Sequence, residues 1–175
     1  MYMYMLHLHN ICHFSTGCSA LYANGIKQSG VYIIYPNKRT PFGVYCDMTD
    51  GGWTVIQRRI DGTVNFTRTW DEYLRGFGDF NGEYWLGLEK IYRLTKDGAE
   101  IYFDIENYNG ARDYAHYKNF TVHDATTLYK MNVDSTGYNG SIPELFSYHD
   151  DMKFSTYDRD NDDTSALTLS PPESH

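Results

Sequence analysis

Basic charge is in short supply in this chain. Fifteen Lys and Arg stand against 23 Asp and Glu, a formal net charge of -8. That balance argues against a nucleic-acid partner, because phosphate binding needs basic patches. No apolar run is long enough to cross a bilayer as a helix, so no membrane insertion is expected. The opening Met1–Leu8 has neither a basic n-region nor a usable apolar h-region, so it does not read as a signal peptide. Heptads and Gly repeats are absent as well, and an oligomer built on a coiled-coil or collagen-like stem would need an upstream region. Cysteine is scarce and odd in number: Cys12, Cys18 and Cys46 leave at least one thiol unpaired within the chain. What the sequence does have is aromatic side chains, with 17 Tyr and three Trp, and 15 Gly. That mixture suggests β-rich structure with many turns. A length of 175 residues with 41% hydrophobic content suggests one domain with a real core.

Residues 1–17 show no periodicity and read as a disordered or mis-joined leader. Cys18–Ala23 reads as a short helix stopped at Asn24-Gly25. Three β-branched and aromatic runs follow: Val31–Tyr35, Phe42–Met48 and Trp53–Arg59, separated by Pro36-Asn37-Lys38 and by Asp50-Gly51-Gly52. They predict an antiparallel meander. Trp70–Arg75 has a helical pattern ending at Gly76. Glu83–Leu94 begins as an apolar patch and ends as a helix, with Leu88, Ile91 and Leu94 on one face. Its aromatics are expected in the core. Ala99–Glu106 alternates apolar and acidic residues at period two, the mark of a half-buried strand. Asn109-Gly110 is a hairpin signal, and Ala111–Tyr117 should pair back. Phe120–Val122 and Leu128–Val133 read as further strands, and Asp134–Tyr157 as turn-rich and irregular.

Three clusters carry candidate chemistry. His7, His9, Cys12 and His13 have the donor types of a zinc site, but nothing around them supplies the hairpin or helix that a closed site needs. Ser147, His149 and Asp150 have the residue types of a hydrolase, yet neighbours this close cannot form a triad in extended chain. No nucleophile-elbow glycines surround Ser147 either. His116 and His123 are expected to be a strand and a loop residue without a metal. The run Asp158-Arg159-Asp160-Asn161-Asp162-Asp163 offers oxygen ligands on a loop, which suits a hard cation such as Ca²⁺. It is not an EF-hand: counted from Asp158, the sixth position is Asp163 instead of Gly and the twelfth is Leu169 instead of Glu. Asn65-Phe66-Thr67, Asn119-Phe120-Thr121 and Asn139-Gly140-Ser141 are N-glycosylation acceptors, relevant only to a secreted chain.

Several strings together are similar to one family. CSALYANGIKQSGVYIIYP, PFGVYCDMTDGGWTVIQRRIDG, GEYWLGLEKIYRLT and MKFSTYDRDND resemble the fibrinogen C-terminal domain family, whose members include the globular ends of fibrinogen chains, ficolins, tenascins, angiopoietins and invertebrate lectins. The resemblance runs from Cys18 to Ala166. It implies an α+β fold, an antiparallel sheet meander with short helices and a loop-rich calcium region. It implies a disulfide between Cys18 and Cys46. It places two Ca²⁺-ligating carboxylates at Asp160 and Asp162 and two ligating carbonyls at Thr164 and Ala166, with Asp158 and Asp163 adding only negative field. The implied function is non-enzymatic: secreted, extracellular recognition of a glycan, often acetylated, or of a protein receptor. After Ala166 the family continues with Asn-Cys-Ala and a final strand, whereas this chain reads Leu167–His175. The expected organisation is therefore a leader 1–17, a C-terminally incomplete domain 18–166 and an unrelated tail 167–175. A weak Ca²⁺ affinity follows, because the loop would have to be ordered by the cation alone. The alternatives are a non-functional truncated product of low solubility and a hydrolase.

Overall fold

Asn24 and Gly25 stop the first helix where the sequence places the stop: α1 (Cys18–Ala23) is capped by Asn24, and Gly25 follows at φ 92°. The computed structural model describes residues 15–162. The 1–14 part of the expected leader, with the His7, His9, Cys12 and His13 cluster, lies outside the described residues. So do Asp163, Thr164, Ala166 and the tail 167–175. The chain divides between Thr54 and Val55 into two compact units.

In the first unit, β1 (Gly30–Ile34) and β2 (Phe42–Asp47) pair antiparallel from Gly30↔Cys46 to Ile34↔Phe42. The strand β3 (Trp53–Val55) joins on the far side of β2, so the order β1-β2-β3 is the expected meander. A single 3-10 turn, Pro36–Lys38, joins the first two strands, with Asn37 and Lys38 at φ 58° and 54°. Alternation sorts the side chains by face. Ile34, Val44 and Cys46 are buried, whereas Val31 and Ile33 are exposed. Cys46 thereby points at α1 and forms a disulfide with Cys18, Cα to Cα 5.4 Å, both residues fully buried. Gly52 lies directly against that helix. A Cβ there would come 2.6 Å from the Cys18 carbonyl oxygen, and its φ is +81°. Any other residue would have to push α1 off the sheet.

The second unit holds two sheets. β4 (Gln57–Arg58), β5 (Phe77–Gly78) and β6 (Tyr84–Trp85) form a small sheet in the order β4-β6-β5. The expected single strand Trp53–Arg59 is therefore two. Ile56 interrupts it by turning its carbonyl to Leu86 N at 2.9 Å, so the halves serve different sheets. In the larger sheet, β7 (Ala99–Glu106) and β8 (Arg112–Val122) pair from Glu106↔Arg112 back to Ala99↔Phe120, with a bulge between Ala99 and Ile101. Phe120–Val122, expected as a separate strand, continues β8. Beyond the first hairpin, β9 (Met131–Asp134) supplies the partner for Asn119–Val122. The expected strand Leu128–Val133 starts late, because Leu128 and Tyr129 take left-handed φ of 61° and 53°. β10 (Asn139–Gly140) pairs an earlier part of β8 on the same edge as β9, opposite β7. The architecture is α+β, antiparallel sheets with a few short helices.

Two helices complete this unit. α3 (Leu88–Thr95) buries Leu88, Ile91 and Thr95. α2 (Trp70–Arg75) starts with a full capping box: the Thr69 hydroxyl accepts from Glu72 N, and the Glu72 carboxylate accepts from Thr69 N at 2.9 Å. A six-residue helix cannot sustain itself on propensity alone. Thr69→Ala should therefore cost about 1 kcal/mol of unfolding free energy. Urea denaturation is the measurement, and an unchanged midpoint would contradict this role for the cap.

Candidate functional site

The acidic run sits on a segment anchored at several points by residues distant in sequence. At its start, Met131 N donates to the Met152 carbonyl at 3.0 Å, and Asp151 N donates to the Met131 carbonyl at 2.9 Å. Lys130 pairs with Asp151 at 2.6 Å, and that contact holds the Asp151 carboxyl below its ordinary range. Phe154 N donates to the Leu128 carbonyl. The Phe154 ring enters a cage of Trp70, Tyr73 and Trp85, with centroids at 6.1, 5.2 and 6.0 Å. Trp85 is fixed in turn by an indole N–H donated to the Tyr73 carbonyl at 2.9 Å. The aromatics of Glu83–Leu94 are thus packing residues, and one of them holds the loop.

Next the chain makes a tight hairpin. Thr156 and Arg159 exchange both backbone hydrogen bonds at 3.0 Å. Between them, Asp158 turns its carboxylate to α2, accepting from Trp70 N at 2.9 Å and from the Thr156 hydroxyl at 2.8 Å. Burial alone would raise its pKa, but the Thr156 and Trp70 donors bring it below the ordinary carboxylate range. Arg159 lays its guanidinium 4.3 Å over the Trp70 ring. Asn161 donates its side-chain amide to the Phe154 carbonyl at 2.8 Å, and its backbone N–H to the Ser155 hydroxyl at 3.0 Å.

Asp160 and Asp162 are both exposed, and Asp162 N donates to the Asp160 carboxylate at 3.1 Å. They are hard oxygen donors two positions apart on an anchored turn, the donor type that Ca²⁺ takes. Asp158 is the odd member, because its carboxylate is taken up by the start of a helix. Among the described residues no cluster of three or more His, Cys, Asp and Glu is arranged to hold a metal. The carbonyls of Thr164 and Ala166 lie outside the described residues.

Sequence reasoning missed how this platform is braced from below. Glu83 is buried, 2% exposed, and residues 60–64 wrap around its carboxylate. One oxygen accepts from Ile60, Asp61 and Gly62 N at 2.7, 3.1 and 2.9 Å. The other accepts from Val64 N at 2.8 Å and from Arg59 at 3.3 Å. The Ile60 and Val64 amides lead in lowering its pKa from 4.5 to about 2. From this loop the chain passes through Phe66, whose carbonyl accepts from the Tyr73 hydroxyl at 2.8 Å, into the helix that Asp158 clamps. Gly78 lets the opposing strand approach: a Cβ there would lie 2.2 Å from the Glu83 carbonyl oxygen.

The other candidates resolve differently. Ser147 donates its hydroxyl to Glu144 at 2.7 Å, not to His149. Asp150 accepts from Asn132 and from Val133 N, so no triad is assembled. His116 lies on β8 and meets Glu100 at 2.8 Å; His123 follows β8 and meets Asn132 at 2.6 Å. Asn65, Asn119 and Asn139 are all exposed.

Comparison with known proteins agrees with this architecture. Residues 14–170 match the family described as fibrinogen beta and gamma chains, C-terminal globular domain. Over 162 residues the chain is 44% identical to fibrinogen-like protein 1 of Mus musculus, covering 83% of this chain and 51% of that protein. The chain thus spans about half the length of the curated relatives it matches. Among solved structures, the fibrinogen-like globe domain of human ANGPTL6 superposes with a TM-score of 0.78 at 41% identity, over 83% of this chain and 66% of that one. The lamprey fibrin D-dimer, complexed with the peptide ligand Gly-His-Arg-Pro-amide, superposes with a TM-score of 0.78 at 36% identity, over 84% and 52%. With the sheets, the disulfide and the family match in agreement, this chain belongs to the fibrinogen C-terminal globular domain family.

Proposed function

We propose that this chain is a secreted, extracellular, non-enzymatic recognition module that binds a glycan such as an acetylated sugar, or a protein receptor, and that its acidic loop carries a structural Ca²⁺. The observation that carries the recognition reading is membership of a family in which the lamprey fibrin relative holds a peptide ligand. That complex favours the peptide or protein side. A buried disulfide and three exposed glycosylation acceptors suit an oxidising, extracellular setting. The commitment of Ser147 to Glu144 supports the non-enzymatic side. The test is binding of the chain to immobilised Gly-His-Arg-Pro-amide and to N-acetylglucosamine beads, with glucose beads as control, in Ca²⁺ and in chelator. Retention on peptide or acetylated sugar above control supports the reading, and equal retention on all three overturns it.

Asp160 and Asp162 would hold the cation with their carboxylates, Thr164 and Ala166 with backbone carbonyls. When bound, the ion would neutralise the acidic turn and tie its two ends together. The anchors at Phe154, Asp158 and Asn161 do part of the ordering that the sequence assigned wholly to the cation. The affinity we expect is in the ~10⁻⁴–10⁻³ M range of extracellular modules or weaker. Calorimetric titration of Ca²⁺ into the chain should show uptake that Asp160→Ala and Asp162→Ala each abolish. Equal uptake by all three proteins would mean that these carboxylates are only a solvated turn.

A further inference from the structure

The outer face of the larger sheet carries an arrangement that no part of the recognition reading uses. One rung of it runs Asn139 on β10, His116 on β8 and Tyr102 on β7. Paired residues of an antiparallel sheet share a face. Asn139 therefore stands on the same side as both rings, with Tyr102 two strand spacings away, ~10 Å. Tyr114, two residues along β8 from His116, fills the gap. Its ring is parallel-stacked on Tyr102, centroids 5.7 Å apart and planes 11° apart, and its hydroxyl donates to the Asn139 side-chain oxygen at 3.2 Å. Tyr102 also meets the His116 ring, centroids 5.9 Å apart and planes 55° apart, and is 43% exposed.

Asn139 opens the acceptor Asn139-Gly140-Ser141, and the Tyr114 bond uses only its oxygen. N-glycosylation builds on the nitrogen, Nδ2, so the tyrosine contact and the modification are compatible. The other two acceptors are placed differently. Asn119 donates its Nδ2 to Asp134 at 3.3 Å, and the ring that follows Asn65 in sequence, Phe66, is already covered by Arg59 at 4.0 Å and Phe77 at 4.9 Å.

We propose that Asn139 carries an N-linked glycan whose first N-acetylglucosamine lies over the Tyr114–Tyr102 stack instead of projecting into solvent. The inference rests on the secretory setting proposed above. In the attachment step, Nδ2 bonds to the anomeric carbon of a lipid-diphosphate-linked oligosaccharide supplied by the secretory membrane. The bond from that carbon to the diphosphate oxygen breaks, the lipid diphosphate leaves with the electron pair, and Nδ2 gives up one proton. No oxidant or reductant is needed. The sugar then stacks because pyranose C–H bonds carry slight positive charge and the tyrosine faces are negative.

The experiment uses the full chain, directed into the secretory pathway of animal cells by an added signal sequence. Single-acceptor versions are made with the other two asparagines changed to Gln. Occupancy is read by mass spectrometry in secreted and intracellular pools. The rate of glycan release by peptide-N-glycosidase is read on native protein for the Asn139-only chain with and without Tyr102→Leu. That substitution keeps the exposed bulk but removes the ring, and its melting curve checks the fold. The expected result is an occupied Asn139 whose release is accelerated roughly two- to tenfold by Tyr102→Leu, the range an aromatic stacking contact supplies. Release indifferent to Tyr102→Leu would overturn the proposal. So would an empty Asn139 beside occupied Asn65 or Asn119, and in that case the extracellular reading survives. If no acceptor is occupied, both fail.

Discussion

Glu83→Gln should be among the most damaging single substitutions in this chain, although it removes no apolar contact. One carboxylate oxygen receives three backbone amides and the other receives Val64 N and Arg59. An amide side chain can offer an acceptor to only one of those groups. Its least costly orientation keeps the oxygen at Ile60, Asp61 and Gly62 and points an NH₂ at the Val64 N–H and the Arg59 guanidinium, donor against donor. A buried donor left unpaired costs its full desolvation penalty. The expected fall in Tm at neutral pH is roughly 5–10 °C.

The pH dependence carries a matching signature. The folded-state pKa of Glu83 is lowered from 4.5 to about 2. A depressed carboxylate pKa means stability that is fully present above the unfolded value and lost as pH falls through the folded value. This share of stability should thus decay between pH 4.5 and 2. The difference in Tm between wild type and Glu83→Gln should be widest at pH 7 and shrink towards pH 2. A difference that stays constant from pH 7 to 2 would sink the assignment.

Removal of the Cys18–Cys46 disulfide is expected to cost about 3–4 kcal/mol on the chain-entropy estimate for its 28-residue separation. For a chain of this size that corresponds to a fall in Tm of roughly 7–14 °C. Both half-cystines are fully buried, and the helix that carries Cys18 packs little else. The six-residue α1 has Leu21 as its other buried residue. Reduction and the Cys18→Ala, Cys46→Ala double variant should therefore give the same loss. Hydrogen exchange should accelerate first across Cys18–Asp47. An unchanged melting curve under reductant, with free thiols verified by alkylation, would contradict the role assigned to this bond.

Little of the candidate site's support could be read along the chain, and the residues explain why. Asp158 belongs to an acidic run in the sequence, but Trp70, its partner, is 88 residues away. Phe154 looks like an ordinary apolar residue before the run, and its cage draws on Trp70, Tyr73 and Trp85. Glu83 has no periodic signal, and the family string it belongs to assigned it no role. The only hint is an acidic residue ahead of an apolar stretch, which is ordinarily a solvated position. Each of these roles depends on where a distant backbone amide or ring ends up.

Local chemistry, by contrast, was legible where a single stretch of chain satisfies it. Asn24-Gly25 ends α1, Gly76 ends α2 at φ 94°, and the alternation of Ala99–Glu106 made a strand, because turn residues and side-chain period act within a few residues. The family strings carried the α+β class and the Cys18–Cys46 pair with them. Tertiary structure alone decided that Trp53–Arg59 breaks at Ile56, whose carbonyl is claimed by Leu86 N from another strand. It alone ran β8 on through Phe120–Val122, where β9 offers a partner. A strand's extent is set by the neighbours available to pair its amides, and those neighbours come from elsewhere in the fold.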